Sequence, residues 1–122
     1  MGQIAQTPTV LVVDDDASLR LLCRVNLELD GYRVLEAPDV AEAERLILAE
    51  PVDVVLLDVH VGPESGIDLM RSLRERGIAP PVVLVTGSAR LDAETQSEAD
   101  GVVAKPFRLE ELREVVLRLT TG

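Results

Sequence analysis

Aromatic side chains are almost absent from this sequence, with one Tyr, one Phe and no Trp in 122 residues. The hydrophobic fraction is nevertheless 47%, so the core has to be built from Val, Leu, Ile and Ala. This fraction, together with 28% charged residues, is typical of a globular domain and not of a disordered chain. At this length we expect a single domain over residues 1–122, with its core from residue 9 to residue 119.

Cysteine, excess positive charge and long apolar stretches are also lacking. A single cysteine, Cys23, excludes an intrachain disulfide framework and a thiolate metal site, and we expect it to be a small core residue. The formal net charge of −10 disfavours nucleic acid and anionic membranes as direct partners, because both need a basic surface. No apolar run reaches the length of a membrane span, and the N-terminus has no signal-peptide pattern. We therefore expect a cytoplasmic protein.

Short apolar runs alternate along the chain with segments of helical period. The apolar runs lie at residues 10–13, 32–35, 52–57, 82–85 and 101–104. The helical segments lie at residues 17–29, after Asp39, at 66–76, at 91–98 and around 112–119. Runs of this kind, without period-two alternation, are typical of strands buried on both faces. The pattern predicts an α/β fold, with a doubly wound five-stranded parallel sheet of order 2-1-3-4-5 in a flavodoxin-like three-layer sandwich.

Polar residues follow the apolar runs at the carboxyl end of each predicted strand. They are Asp14, Asp15 and Asp16 after the first strand, Asp58 after the third, Thr86 after the fourth and Lys105 after the fifth. Carboxyl ends of parallel strands meet at one edge of the sheet, so these side chains should converge. Carboxylates without His or Cys fit a hard divalent cation such as Mg²⁺, with Mn²⁺ as an alternative. Asp16 is better placed to cap the first helix.

Carboxylates, a divalent cation, a lysine and a hydroxyl are the groups that phosphoryl transfer requires. The metal and the lysine neutralise charge on the transferred group, and a carboxylate can itself be the nucleophile. Asp58 is the best candidate for the acceptor, since it stands alone between the paired aspartates and Lys105. Thr86 is a candidate donor to a phosphoryl oxygen.

Four motifs, VVDDD, LLDVHVGPESG, LVTGSA and KPF, occur in this order on successive strand ends. Together they resemble the receiver domain of two-component response regulators. The resemblance implies that Asp58 accepts a phosphoryl group from a histidine kinase or a histidine phosphotransferase. It implies a signalling domain that catalyses its own phosphorylation and slow dephosphorylation, and not a turnover enzyme.

The resemblance also implies roles for individual residues. Asp15, Asp58 and the backbone carbonyl of His60 would bind Mg²⁺ directly, with Asp14 acting through water. Lys105 would pair first with Asp58 and then with the phosphoryl group, and Thr86 would move toward that group. The side chains of His60 and Ser88 would tune the lifetime of the phosphoryl group. The Lys105–Pro106 peptide bond would be cis.

Two departures from the family pattern concern the output surface. Val102 stands where the family usually has an aromatic residue that swings inward, so the usual output switch is not expected here. The interval from Thr86 to Lys105 is short, which predicts a short or irregular fourth helix. The face formed by the fourth helix, the fifth strand and the fifth helix is therefore expected to be atypical, and dimerisation through it is left open.

The first predicted helix carries a second apolar stripe, formed by Leu21, Val25 and Leu29, beside its core stripe of Leu19, Leu22, Cys23 and Leu27. Two interpretations are open. Either the helix is deeply set, or its outer side is a docking surface for the kinase. In the second case Arg20, Leu21 and Arg24 would contact the partner.

Two other functions remain as alternatives. One is a receiver-like binding module that works without phosphorylation. The other is a phosphatase of the haloacid dehalogenase type, with Asp14 as nucleophile and Asp16 as acid, although the chain is short for that class. We expect no output domain within these residues, and a stand-alone regulator and a piece of a longer protein both remain open.

Overall fold

The structure is a computed structural model, and it describes residues 7–78, 80–87 and 91–121. Its strands are β1 (Thr9–Val13), β2 (Arg33–Ala37), β3 (Val54–Asp58), β4 (His60–Val61), β5 (Glu64–Ser65), β6 (Val82–Thr86) and β7 (Gly101–Ala104). Its helices are α1 (Ala17–Leu29), α2 (Val40–Ala49), α3 (Gly66–Glu75), α4 (Ala93–Glu98) and α5 (Leu109–Thr120). Strands and helices therefore alternate, as the sequence predicts.

The main sheet has five parallel strands in the order β2-β1-β3-β6-β7. This is the predicted order 2-1-3-4-5, because β4 and β5 form a separate two-stranded antiparallel hairpin. The fold prediction is confirmed. The direction of winding reverses at β1 and β3, which places the ligand crevice of such a sheet beyond the ends of these two strands.

Both faces of the sheet are buried, which explains why its strands are continuously apolar. Along β1, Val10 and Val12 pack in the same cluster as residues of α1 and α5, including Cys23. The alternate residues Leu11 and Val13 pack in the cluster that contains residues of α2 and α3. Since successive side chains of a strand point to opposite faces, the helices form one layer on each side of the sheet. Cys23 is buried, as predicted.

Aspartate side chains begin the helices that follow β1 and β2. The Asp16 carboxylate accepts hydrogen bonds from the backbone N–H groups of Ser18 and Leu19, at 2.9 and 3.3 Å. The Asp39 carboxylate accepts from the N–H of Glu42 at 2.8 Å. Each bond satisfies amide donors that the first turn of a helix leaves without a partner. The N-cap prediction for Asp16 is confirmed, and Asp39 caps α2 in the same way.

Several boundaries differ from the predicted ones by one to three residues. β2 runs to Ala37 because it pairs along the full length of β1, and β3 includes Asp58 itself. The hairpin of β4 and β5 was not predicted, because strands of two residues carry no periodicity. Its turn contains Gly62 at a φ of +61°, a conformation that favours glycine. α4 has only six residues, in agreement with the short interval in the sequence.

The outer side of α1 is exposed and apolar. Leu21, Val25 and Leu29 are 57%, 47% and 80% exposed, so the interpretation of a deeply set helix is wrong. Leu22, predicted to lie in the core, is 45% exposed. The buried side of α1 is the narrower stripe of Cys23 and Leu27, and Leu22 lies about 100° away from Cys23 around the helix.

No helix in the described ranges is both long enough and apolar enough to cross a bilayer.

Candidate cation-binding active site

Four polar residues lie where strands of the main sheet end. Asp14 directly follows β1, Asp58 ends β3, Thr86 ends β6 and Lys105 directly follows β7. The backbone N–H of Asp14 donates to the carbonyl of Ala37 at 3.1 Å, and that of Lys105 donates to the carbonyl of Thr86 at 2.7 Å. These bonds continue the ladders past the last strand residues. The backbone at the site is therefore held by the sheet.

Lys105 joins the two buried aspartates. Its Nζ lies 2.9 Å from Oδ2 of Asp58 and 3.1 Å from Oδ2 of Asp14. The residues Asp58 and Asp14 are only 7% and 3% exposed, so neither carboxylate is surrounded by water. Desolvated charges need a partner at hydrogen-bond distance. The ammonium group of Lys105 is that partner for both carboxylates.

The second oxygen of each buried carboxylate accepts a backbone hydrogen bond. Oδ1 of Asp14 accepts from the N–H of Asp16 at 2.9 Å, and Oδ1 of Asp58 accepts from the N–H of His60 at 3.1 Å. A carboxylate has about four lone-pair sites, so each group retains capacity for a further ligand. Both carboxylates are thus oriented by the protein and can still bind a cation.

Asp14, Asp15 and Asp58 form what we call the acidic cluster. One carboxylate oxygen from each residue can be chosen so that all three lie within 4.8 Å of one another. Asp15 is exposed, whereas the other two are buried. Three carboxylates face one lysine, so the cluster has negative charge in excess. All-oxygen donors with excess negative charge fit a hard divalent cation.

The pKa shifts agree with this picture. Burial raises the pKa of Asp14, and the charge of Asp58 raises it further, against the opposing effect of hydrogen bonds from Asp16 and Lys105. Burial alone would lower the pKa of Lys105, but its hydrogen bonds to Asp58 and Asp14 raise it overall. Lys105 is therefore charged at neutral pH, and Asp14 is the carboxylate that folding disfavours in its ionised form.

Gly66 allows α3 to begin against the end of β3. Its N–H donates to the carbonyl of Val59 at 2.8 Å. A Cβ at this position would overlap the backbone carbonyl oxygen of Asp58. Any other residue would displace the backbone that carries Asp58. The sequence shows this glycine in its loop, but the close approach is visible only in the structure.

The hairpin after β3 is fixed at its far end by Glu64. Its Oε1 accepts a hydrogen bond from the backbone N–H of Val40, in the first turn of α2, at 3.3 Å. The loop that follows Asp58 is thus attached to a neighbouring helix.

The other predicted site residues have diverse environments. Thr86 is buried at the end of β6. His60 is exposed, and its backbone N–H donates a hydrogen bond to Asp58. Ser88 lies outside the described residues. The Lys105–Pro106 peptide bond is cis, which is the geometry implied by the resemblance. Val102 lies on the edge strand β7 and is 41% exposed.

The arginines of α1 make contacts within the protein. Arg20 donates from Nη1 to the backbone carbonyl of Asp14 at 2.6 Å and from Nε to Glu36 at 3.1 Å, and its side chain is 15% exposed. Arg24 pairs with Glu36 at 3.0 Å and with Glu28 at 3.3 Å. Arg20 was predicted only as a docking residue. Nothing in the spacing of the sequence indicates its contact with Asp14.

The structure argues against the phosphatase alternative, because the proposed acid, Asp16, caps a helix instead. The Asp16 carboxylate is occupied by the first amides of α1 and lies outside the acidic cluster.

The family model for the response regulator receiver domain matches residues 10–117, which is most of the chain. The chain therefore belongs to this family. Its fold, strand order and aspartate cluster are those of a receiver domain of two-component systems, and the prediction made from the four motifs is confirmed.

Curated relatives include the phosphate regulon transcriptional regulatory protein PhoB of Pseudomonas aeruginosa, 36% identical over 116 residues. That alignment covers 91% of this chain and 49% of PhoB. The transcriptional regulatory protein KdpE of Mycobacterium tuberculosis is 39% identical over an alignment of 122 residues, which covers 93% of this chain and 53% of KdpE. The chain thus spans about half the length of these relatives.

Solved receiver structures superpose closely. The receiver domain of the Francisella response regulator 1452 has a TM-score of 0.87 at 30% identity, over 93% of this chain and 97% of that one. The response regulator TrrA of Thermotoga maritima, solved in complex with Mg²⁺ and BeF, has a TM-score of 0.83 at 30% identity, over 93% of this chain and 99% of that one. Receiver domains bind Mg²⁺ at an acidic cluster, and this chain has such a cluster.

The raised pKa of Asp14 predicts a pH dependence of stability. Asp14→Asn should raise the free energy of unfolding at neutral pH in cation-free buffer, because it removes a desolvated charge beside Asp58. Because the pKa of Asp14 is raised in the folded state, Asp14 lowers the free energy of unfolding most at pH values above that pKa. The cost disappears as the pH falls toward the unfolded value of 3.8, so the gain of the variant should shrink in acid.

Urea unfolding from neutral to acid pH measures this difference. Asp92→Asn is the matched control, since hydrogen bonds from Thr95 lower the pKa of Asp92 and this substitution should give no gain. If both variants changed the free energy of unfolding equally at every pH, ionised Asp14 would not be the destabilising group.

Proposed function

We propose that this chain accepts a phosphoryl group on Asp58 from a histidine kinase or a histidine phosphotransferase, with Mg²⁺ at the acidic cluster, and that phosphorylation switches its contacts with partners. The observation that carries this proposal is the placement of Lys105 between two buried carboxylates, 2.9 Å from Asp58 and 3.1 Å from Asp14. A paired lysine, an oriented carboxylate and a cation-binding cluster at one sheet edge are the components of phosphoryl transfer.

The proposed transfer step is a nucleophilic attack by Asp58. A carboxylate oxygen of Asp58 forms a bond to the phosphorus of the donor phosphohistidine while the P–N bond breaks. The electron pair of that bond stays on the histidine nitrogen, and the donor imidazole takes a proton from solvent. The product is an acyl phosphate on Asp58, which no longer offers a full carboxylate to Lys105. Lys105 then pairs with a phosphoryl oxygen.

The acidic cluster would hold the ion. We assign Asp15, Asp58 and the backbone carbonyl of His60 as direct ligands, and Asp14 as a ligand through water. A bound Mg²⁺ neutralises charge on the phosphoryl oxygens. Mn²⁺, which prefers similar oxygen ligands, is the alternative ion.

Two further side chains are assigned by their position. Thr86, buried at the end of the strand next to β3, is the donor to the phosphoryl group once that group is present. His60, exposed beside Asp58, is assigned to tune the lifetime of the phosphorylated state. Ser88 is assigned the same role from the family resemblance alone.

Val102 on β7 cannot transmit phosphorylation as the aromatic residue usual at this position in the family does. Val102 is a small side chain, already 41% exposed, so its movement would change little surface. The phosphorylation signal would pass through smaller packing changes on the face of α4, β7 and α5 to an output domain or a separate effector. A cytoplasmic location follows from the proposed donor, and neither nucleic acid nor membrane is a direct partner of a chain with net charge −10.

The first test is intact mass after incubation with acetyl phosphate. Wild type should gain one base-labile phosphoryl adduct that requires Mg²⁺, and Asp58→Asn should gain none. Asp53→Asn is the matched control, because Asp53 immediately precedes β3, the strand that ends at Asp58. Its carboxylate accepts a hydrogen bond from the backbone N–H of Thr9, at the opposite end of the sheet from the site. It should be labelled like wild type.

Absence of an adduct on folded wild type with Mg²⁺, from acetyl phosphate and from a panel of purified histidine kinases, would refute the proposal. A binding module that works without phosphorylation would then be favoured.

The exposed stripe of α1 is the proposed contact for the kinase. Leu21, Leu22 and Val25 line an apolar surface groove on this helix, which begins beside the acidic cluster. Arg20 is engaged with Asp14 and Glu36, so the docking proposal rests on Leu21 and its apolar neighbours.

Leu21→Glu should slow phosphotransfer from a phosphorylated kinase at least about tenfold, since a charge replaces an interface anchor. Leu48→Glu is the control, because Leu48 is equally exposed, at 56% against 57%, but lies on α2. Rates are measured by loss of label from the kinase, with labelling by acetyl phosphate as the reference for the chemistry. Equal kinase rates for both variants would exclude docking on this stripe.

A further inference from the structure

The guanidinium of Arg20 connects the loop of the acidic cluster to β2. Its Nη1 donates to the backbone carbonyl of Asp14 at 2.6 Å, and its Nε donates to Oε1 of Glu36 at 3.1 Å. The side chain is only 15% exposed, and that of Glu36 is 25% exposed. We propose that Arg20 is a positioning residue of the cation site, which fixes the backbone of Asp14 so that its carboxylate faces Asp58. This inference rests on the proposed Mg²⁺ site.

The carbonyl of Asp14 needs such a donor. β1 ends at Val13 and its partner β2 ends at Ala37, so the parallel ladder does not extend to this carbonyl. Asp14 is 3% exposed, and a buried carbonyl without a donor is costly. Charge-assisted hydrogen bonds from a planar guanidinium are short and strong, and Glu36 holds this guanidinium in place.

The loop that Arg20 holds supplies most of the acidic cluster. Asp14 and Asp15 are consecutive, and the N–H of Asp16 donates to Oδ1 of Asp14 at 2.9 Å. A shift of the Asp14 carbonyl therefore moves the carboxylates that face Asp58. Residues that orient metal ligands without touching the metal commonly change metal affinity by about 10–100-fold when replaced.

Charge and geometry make opposite predictions for the loss of Arg20. Removing a positive charge near the acidic cluster should by itself strengthen the binding of a cation. Removing a bond that holds Asp14 should weaken it. If Arg20 acts by positioning, Mg²⁺ binds more weakly despite the more negative surroundings.

Arg24 provides a matched control. Its Nη1 binds the other oxygen of the same Glu36, at 3.0 Å, and its Nε binds Glu28 and not Asp14. Arg24→Met removes the same charge from the same helix at a side chain that is 47% exposed. Its Mg²⁺ affinity should stay within about twofold of wild type, because exposed charges are screened.

The experiment is an Mg²⁺ titration of wild type, Arg20→Met and Arg24→Met, followed by amide NMR shifts at constant ionic strength. Arg20→Met should bind Mg²⁺ about tenfold more weakly than Arg24→Met. In the metal-free state the amide of Asp16 should exchange faster in Arg20→Met only. Urea unfolding of each variant separates a change at the site from a general loss of stability.

The outcomes distinguish this inference from the proposed function. Wild type that does not bind Mg²⁺ would refute the cation site itself. Wild type that binds, with equal affinities and equal Asp16 exchange in the two variants, would refute the positioning role alone. Weaker stability of Arg20→Met with unchanged Mg²⁺ affinity would also refute it.

If Arg20→Met does not fold, Arg20→Lys and Arg24→Lys are compared in the same titration. Lysine keeps the charge but cannot bind Asp14 and Glu36 with the fixed geometry of guanidinium. Arg20→Lys should bind Mg²⁺ more weakly than Arg24→Lys, and equal affinities would overturn the proposal.

Discussion

The site depends on one lysine that holds two desolvated carboxylates together. Asp14 and Asp58 would repel each other at the end of the sheet, and burial makes the repulsion stronger. Lys105 binds both, at 3.1 and 2.9 Å, and each carboxylate is further oriented by a backbone amide. The pKa of Asp14 is raised even so, which shows that the compensation is incomplete. The fold thus retains an electrostatic cost at this edge, and a divalent cation would reduce it.

The main sheet explains how such a cost is tolerated. Its central strands are buried on both faces by continuous apolar packing, and backbone hydrogen bonds extend past the strand ends at Asp14 and Lys105. Gly66 lets α3 approach the carbonyl of Asp58, and Glu64 ties the intervening hairpin to α2. The backbone that carries the charged groups is therefore held by apolar packing and backbone hydrogen bonds, while Lys105 holds the charged side chains together.

Much of this arrangement can be predicted from the sequence. Continuous apolar runs indicate the strands, and residues at their carboxyl ends must converge, so Asp14, Asp58 and Lys105 are found without a structure. The short hairpin and the pattern of buried residues on α1 are harder to predict from the sequence. β4 and β5 are too short for periodicity. Leu22 fits the apolar pattern of α1 but lies about 100° around the helix from Cys23, outside the narrow buried stripe. The contact of Arg20 with a backbone carbonyl depends on the path of the loop, which no residue pattern encodes.

The most direct measurement of the central claim is the free energy of unfolding of the wild-type chain as Mg²⁺ is added at constant ionic strength. If the acidic cluster is a cation site kept under electrostatic strain, Mg²⁺ should stabilise the fold by about 2.7 kcal/mol at about a hundred times its Kd. Stabilisation no greater than that given by NaCl at the same ionic strength would contradict the account.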